Sequence, residues 1–524
     1  MRRFFSYGPV NCEKHFCVQR GALLQQCVEQ LIGDEEGGHY FTVWAPRQTG
    51  KTWLMMEVKK EIERRYGDKF ICGFMSMEGI SEGKEVFLKG IPSLFRTYLG
   101  IELKKAPENF LEFTELFEKG KGVFNKPLIL FIDEFDSLLP EIIDALVRCF
   151  RKIYLKRDSY LLHGLALIGV SAVLGIDSDR GSPFNIQRSL HVDNFTYEEV
   201  LDLYHQYIEE SSQKIDEEVI DKVYEVTRGQ PGLVCWFGEL LTEKYNPGKD
   251  KIIDIGVWRR VYSAAMRIEW NNTLLNLIKK AKGKYFNKVL DVFSRPDLEF
   301  NLRSDWCSYL YLNGIIGYDE TEDEKGEIIY ICRFSSPFVQ DTLYHAFSLE
   351  FCGEETPIYA LKLGDDLSDV FEEGLDLRAL IGRYRDYLNR LKQKNISPFK
   401  HIPKRQDLNI YESGGHFHLY HWLMNAIGKI CYITPEFPTG NGRVDIHIRC
   451  KDIEGVIEVK SFRDMRTLEQ SKYQASKYAK KLGLKEILLV VFVYGVEEEE
   501  ALVLRDDIEI EGVKVMVEPV VFDG

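Results

Sequence analysis

Tyr40-Phe-Thr-Val-Trp-Ala-Pro-Arg-Gln-Thr-Gly-Lys-Thr52 is the stretch that decides the fold. Its first five residues read as a buried strand, and a loop ending in Gly50-Lys51-Thr52 follows at once. The spacing is that of G-x-x-x-x-G-K-[ST], with Ala45 in place of the first glycine. A loop whose backbone N–H groups turn inward at a helix start stabilises an anion. Pro46, Arg47, Gln48, Thr49 and Gly50 would form that cradle, and Lys51 would reach the β- and γ-phosphates of a nucleotide, read as ATP. The Thr52 hydroxyl would ligate Mg²⁺. Trp53-Leu-Met-Met-Glu-Val-Lys-Lys60 continues as the required helix.

A second element stands about 80 residues further on. Pro127-Leu-Ile-Leu-Phe-Ile-Asp-Glu134 is a continuous apolar run ending in two carboxylates. Such a run fits a strand covered on both faces of a parallel sheet. Charges at its carboxyl end lie where open α/β sheets bind ligands. Asp133 is assigned to the Mg²⁺ shell and Glu134 to polarising the attacking water. The order of the two motifs disfavours a chance acidic turn. A third strand, Gly164-Leu-Ala-Leu-Ile-Gly-Val170, ends at Ser171, which either senses the γ-phosphate or caps a helix.

The chain has 524 residues, which suggests roughly three or four domains. Hydrophobic residues at 45% and charged residues at 29% are ordinary for a globular protein. A net charge of −14 argues against non-specific coating of nucleic acid but leaves room for a local basic site. The 11 cysteines show no C-x-x-C and no His/Cys pairing, so reduced buried thiols in a cytoplasmic protein are expected. Met1-Arg-Arg-Phe-Phe5 is not followed by an apolar core, and no segment reaches the ~20 residues that span a bilayer.

Residues 1–250 alternate strand-like and helix-like segments, which predicts a parallel sheet with helices on both faces. Ser182-Pro-Phe-Asn-Ile-Gln-Arg188 leaves that sheet for a helical lid, in which Thr196-Tyr-Glu-Glu199 is a capping box opening a helix over 200–210. Residues 251–350 read as helices followed by a hairpin around 319–326, the order of a small winged-helix module. The segment 351–404 reads as a helical linker, acidic at 365–376 and basic after Arg383, broken at Ser397-Pro398 and Ile402-Pro403.

A second constellation follows the linker. Gly442-Arg-Val-Asp-Ile-His-Ile-Arg-Cys450 and Val456-Ile-Glu-Val-Lys460 read as two strands about a turn. Alternation puts Glu458 and Lys460 on one face, and a hairpin would set Asp445 beside Glu458. Asp445 and Glu458 would then hold Mg²⁺ or Mn²⁺, while Lys460 positions or activates water near a phosphate. Gln474 and Tyr478 lie at i and i+4 of one helix face. The basic stretch 460–485 suits a phosphate backbone, DNA or RNA.

Residues 1–250 resemble the AAA-like P-loop ATPases of the STAND group. The resemblance rests on Pro46-Arg-Gln-Thr-Gly-Lys-Thr52, Phe131-Ile-Asp-Glu-Phe-Asp136 and Gly229-Gln-Pro231. It implies that Pro231 marks a turn replacing a second sensor arginine. It also implies that His15-Phe-Cys-Val-Gln-Arg20 contacts the adenine. Ser335-Ser-Pro-Phe-Val-Gln340 resembles the end of the winged helix that usually follows. Residues 405–524 resemble the PD-(D/E)XK nuclease superfamily on Asp445, Glu458-Val-Lys460 and Gln474…Tyr478. The upstream helix glutamate of that family is either Glu412 or Glu436. The fold class implied is multidomain α/β: a P-loop parallel sheet with helical lid, a winged-helix module and a restriction-endonuclease-like C-terminal domain.

His416, His418 and His421 suggest a metal site only superficially, because on a helix only His418 and His421 share a face. The acidic turn at 319–324 suits a protein partner better than DNA. The sequence therefore points to an ATP-hydrolysing switch that controls a metal-dependent nuclease, with no membrane association and with oligomers compatible. The alternatives are an ATP-switched scaffold whose nuclease-like domain only binds nucleic acid, and a small-molecule P-loop kinase. The kinase is disfavoured by the Asp133-Glu134 pair and the nuclease-like tail.

Overall fold

The computed structural model describes the chain apart from residues 9, 35–36, 81–82, 170–187, 296–297, 323–325, 353–358, 363, 366, 373, 398, 400–409, 411, 429, 439–442, 451–452 and 523–524. It divides into two compact units, Met1–Trp270 with Tyr311–Gly314, and Asn271–Leu310 with Ile315–Gly524.

The first unit is built on the five strands β1 (Tyr40–Trp44), β2 (Ile71–Ser76), β3 (Leu128–Asp133), β4 (Leu162–Gly169) and β5 (Arg188–His191). They pair in the order β2-β3-β4-β1-β5, all parallel. Every residue of β3 is buried, as its unbroken apolar run requires. Alternation divides that strand between two cores. Leu128, Leu130 and Ile132 join a cluster with Phe87, Ile91, Leu146 and Phe150, from α3 (Lys84–Leu94) and α5 (Pro140–Leu155). Ile129 and Phe131 face the other way, onto Val28, Leu31, Leu54 and Val58 of α1 (Gly21–Ile32) and α2 (Lys51–Tyr66). The short α4 (Phe110–Glu115) completes the first face.

Four helices follow the sheet: α6 (Tyr197–Ser211), α7 (Glu217–Thr227), α8 (Pro231–Glu239) and α9 (Ile255–Arg267). The capping box forms as its spacing predicts. Thr196 accepts from Glu199 N at 3.2 Å, and Glu199 accepts from Thr196 N at 3.0 Å. Trp258 of α9 packs on Phe237 of α8, with ring centroids 5.1 Å apart. Ser171 and the segment 182–187 lie outside the described residues.

The second unit opens with α10 (Asn272–Ala281), α11 (Phe286–Ser294) and α12 (Asp305–Leu312), whose last residues count with the first unit. The antiparallel hairpin β6 (Ile316–Glu322) and β7 (Ile328–Phe334) comes next, then α13 (Pro337–Cys352). After α14 (Ser368–Phe371), α15 (Leu377–Gln393) and α16 (Glu412–Ala426) come β8 (Tyr432–Pro438), β9 (Arg443–Cys450) and β10 (Ile453–Ser461). Then α17 (Met465–Lys481), β11 (Glu486–Tyr494), α18 (Glu498–Ala501), β12 (Asp506–Ile510) and β13 (Val513–Phe522) close the chain. The sheet order is β12-β13-β11-β10-β9-β8. Its middle pairs, β10 with β11 and β11 with β13, are parallel, and its outer pairs are antiparallel. Helix α17 is the crossover between parallel β10 and β11, as a parallel pair demands. Helix α16 lies close on β11, because Gly415 offers no side chain where the Phe492 ring sits.

Within 351–404, α15 is anchored to this sheet by charge. Arg378, Arg385 and Arg505 all pair with Glu518 of β13, whose side chain is fully buried. Two cysteine pairs are joined as disulfides, Cys12–Cys17 and Cys431–Cys450. This overturns the expectation of reduced thiols for those four. Position, not a C-x-x-C motif, brings them together: Cys431 directly precedes β8, and Tyr432 pairs with Arg449 of β9. Cys27, Cys72, Cys149, Cys235, Cys307 and Cys332 are free. Among the described residues no helix is long and apolar enough to cross a membrane.

Removing the buried Glu518 charge leaves Arg385 without its carboxylate partner, while Arg378 keeps Asp507. Glu518→Gln is therefore expected to destabilise the C-terminal sheet by about 3–5 kcal/mol, read as an earlier denaturant transition. A transition unchanged from wild type would show that the three arginines do not depend on this carboxylate.

Candidate functional site

The loop after β1 runs directly into α2. Gly50 caps α2 at φ 87°, and Gln48 also takes a left-handed conformation at φ 60°. Lys51 Nζ donates to the carbonyls of Ala45 at 2.9 Å and Pro46 at 2.7 Å, and the Thr49 hydroxyl donates to Pro46 O at 3.0 Å. Strand β4 separates β1 from β3, yet the Thr52 hydroxyl reaches Asp133 Oδ2 at 2.7 Å. Asp133 Oδ1 accepts from Glu134 N at 2.9 Å, and Glu134 turns the chain at φ 52°. Burial lowers Lys51 to about 8, with Asp136, Asp133 and Glu134 opposing that shift. Burial also raises Asp133, and it raises Glu134 with help from Asp133 and Asp136. Thr52, Asp133 and Glu134 therefore stand at one place beside Lys51, and the Thr52–Asp133 oxygen pair has the chemistry of a hard-cation site.

Pro231, at the first position of α8, is buried, but its neighbours touch the loop. Gln230 caps α8 by accepting from Leu233 N at 2.6 Å. Its amide donates to Arg47 O at 3.3 Å and Gln48 O at 3.4 Å, and Gly232 N donates to Gln48 O at 3.2 Å. Any side chain at 232 would collide with Gln48. The sequence reading singled out Pro231 and overlooked Gln230 and Gly232 as contacts to the loop. Pro231 at the first position of α8 marks a helix start, but no local signal marks its contact with the loop. Arg20 contacts the start of α6: its guanidinium lies 4.8 Å over the Phe195 ring and 3.7 Å from Glu199, with Nε and Nη2 buried and without hydrogen-bond partners.

In the second unit β9 and β10 form the expected hairpin. Ile457 pairs with Ile446, so the register carried on by one residue sets Glu458 opposite Asp445. Lys460 Nζ donates to Glu458 Oε1 at 2.9 Å and to Glu412 Oε1 at 2.8 Å. Of the two upstream glutamates, Glu412 at the start of α16 is thus brought to the cluster, whereas the Glu436 side chain lies outside the described residues. Asp445 Oδ2 accepts from Val459 N at 2.6 Å. The sequence reading did not foresee His416, whose Nε2 is 2.7 Å from Asp445 O.

The cluster's charges are strongly perturbed. Burial, with Asp445 adding to it, raises the Glu458 carboxyl to about 8. Burial likewise raises Asp445 and Glu412. Although burial opposes it, the attraction of Glu412, Glu458 and Asp445 keeps Lys460 firmly protonated. Glu458 Oε2 is buried with no hydrogen-bond partner. An acceptor left in that state fits a cation supplied from outside. Among the described residues no three His, Cys, Asp or Glu side chains are grouped to hold a metal by themselves. Any ion here would take Asp445, Glu458, backbone oxygen and water. Gln474 donates to the Tyr478 hydroxyl at 2.7 Å, and burial with the nearby Glu458 lifts that phenol to about 12.

The basic stretch is less free than its sequence suggests. Lys472 is buried against Glu469 and Asp506, and Lys480 pairs with Glu511. His418 is buried and bonded to the Tyr384 hydroxyl at 2.6 Å.

No protein-family description matches the sequence, and no curated protein does. Several solved structures share parts of the fold. The Walker-type ATPase PABY2304 of Pyrococcus abyssi is 16% identical, covers 65% of this chain and 99% of its own, and superposes with a TM-score of 0.44. The Aeropyrum pernix ORC2 protein is 14% identical over 62% of this chain and 93% of its own, with a TM-score of 0.40. The Thermotoga maritima RuvB Holliday junction branch migration motor is 13% identical over 60% and 92%, with a TM-score of 0.33. At these identities and scores each is a partial likeness of fold, and no residue role is carried over from them.

Proposed function

We propose that this chain is an ATP-hydrolysing switch joined to a metal-dependent nuclease. The observation that carries the nuclease half is the buried meeting of Asp445, Glu458 and Lys460, with Glu412 as a further carboxylate and Glu458 Oε2 unpartnered. A bound divalent cation would supply Lewis acidity and a water of lowered pKa. Asp445 and Glu458 would hold it. Lys460, whose charge is secured by its three carboxylate neighbours, would orient water and offset charge on the scissile phosphate. Tyr478, protonated at neutral pH, and Gln474 would donate hydrogen bonds at the same site.

In the first unit, Arg47 to Gly50 would wrap the phosphates through their N–H groups, and Pro46, which has none, would open the loop. Lys51 would exchange its carbonyl partners for the β- and γ-phosphates. Thr52 and Asp133 would hold Mg²⁺, and Glu134 would polarise the attacking water. Arg20 and Pro231 would border the base and the lid side of that nucleotide. Residues 251–350 fit a winged-helix module with the hairpin β6–β7 as its wing. Asp319, Glu320 and Glu322 make that wing acidic, so it suits a basic protein surface better than DNA.

Lys51→Ala should abolish ATP binding, read by fluorescence of a nucleotide analogue, because it deletes the charge that faces the phosphates. Glu134→Gln should bind ATP normally and lose turnover. Equal turnover in Glu134→Gln and wild type would reject the role given to Glu134.

Asp445→Ala and Lys460→Ala should each remove Mg²⁺- or Mn²⁺-dependent cleavage from a panel of DNA and RNA substrates, while leaving ATPase turnover intact. A wild-type protein that binds nucleic acid but cuts nothing in any metal or nucleotide state would instead be an ATP-switched scaffold.

Lys460→Met leaves Glu412, Glu458 and Asp445 facing one another without a cation. The variant is expected to lose about 3–5 kcal/mol of stability at pH 8. It should recover part of that loss toward pH 5, because carboxyls with raised pKa take up protons there. A loss that does not change with pH would show that the carboxylates are not coupled through Lys460.

A further inference from the structure

We propose that His416 is a positioning residue for the carboxylate cluster, fixing the main chain of Asp445, and that Tyr344 of α13 holds His416 in place. The proposal rests on the nuclease reading above and deepens it.

His416 follows Glu412 by four residues on α16, so both project from one helix face. Glu412 reaches Lys460, and His416 reaches the carbonyl of Asp445 at 2.7 Å. A carbonyl only accepts, so Nε2 carries a proton and donates it to Asp445 O. Burial lowers His416 to about 4 and so favours the neutral ring. Asp445 is thereby held twice: its carboxylate by Val459 N at 2.6 Å, and its carbonyl by His416. The two bonds leave little freedom for the carboxylate to swing away from Glu458.

His416 is itself held from the other side. The Tyr344 ring stands edge-on to it, with centroids 5.2 Å apart, and the Tyr344 hydroxyl donates to His416 O at 3.3 Å. Tyr344 is fully buried and packs on Phe293 of α11 and Phe417 of α16. The helices around the β6–β7 hairpin therefore take part in building the cluster. Partners of this kind around metal ligands typically contribute about 10–100-fold in affinity or activity.

The test uses the full chain with four variants: Asp445→Ala, His416→Ala, His416→Gln and His416→Asn. Glutamine places an N–H near the position of Nε2, and asparagine is too short to reach it. Mn²⁺ binding is followed by titration, and the site in question is the one lost in Asp445→Ala. Cleavage kcat and KM are measured in parallel. His416→Ala and His416→Asn should weaken that Mn²⁺ site and lower kcat by about 10–100-fold, with nucleic-acid KM unchanged, and His416→Gln should restore both. If His416→Ala does not fold, Gln against Asn decides alone, and equal behaviour of those two overturns the proposal. Wild-type Mn²⁺ affinity and kcat in His416→Ala overturn it while leaving the nuclease reading standing. A wild-type chain with no Asp445-dependent Mn²⁺ site and no cleavage overturns both.

Discussion

A strand covered on both faces can present chemistry only at its ends, and both units of this chain obey that constraint. In the first, β3 is buried throughout and its last residue is Asp133. In the second, β10 is buried from Gly455 to Val459, and Glu458 and Lys460 fall in its second half. Burial of these strands holds the sheets together, and it also makes their terminal charges abnormal. Desolvation raises Asp133, Glu134, Asp445, Glu412 and Glu458 alike. Each cluster then has one lysine answering several carboxylates, Lys51 in one and Lys460 in the other. Fold stability and strongly perturbed charge thus meet in the same few residues.

Much of this was legible in the sequence, because local chemistry fixed it. A glycine before Lys51-Thr52 and an apolar run into Asp133 specify where the chain must turn. The period of two in Glu458-Val-Lys460 specifies a shared face, and one hairpin suffices to bring Asp445 opposite. The capping box at Thr196 was equally local. Contacts made across long separations were not legible. Nothing near position 230 announces that its amide will meet carbonyls 182 and 183 residues away. His416 looked like one of three idle histidines, and only the packing of α16 on the sheet aims it at Asp445. The cysteine pairs escaped for the same reason. Strand register, not spacing, decides that Cys431 meets Cys450.

Charge counts along the sequence also misjudged what is available at the surface. The stretch 460–485 is rich in lysine and arginine, yet Lys460 and Lys472 are consumed by internal carboxylates. Arg378 and Arg385 of α15 are drawn inward in the same way, converging on Glu518. A local excess of basic residues can therefore be a fastening as much as a binding surface, and only the partners distinguish the two.

The link between α8 and the loop after β1 has a mechanical meaning. Gln48 is kept in a left-handed conformation that a side-chain-bearing residue adopts at some energetic expense. Its carbonyl is gripped by Gln230 and by the backbone of position 232. Rotation of the peptide at 48 would break both bonds to that carbonyl at once. The loop and the first turn of that helix are thus tied at one carbonyl, so the backbone at 48 and the cap of α8 share the same hydrogen bonds.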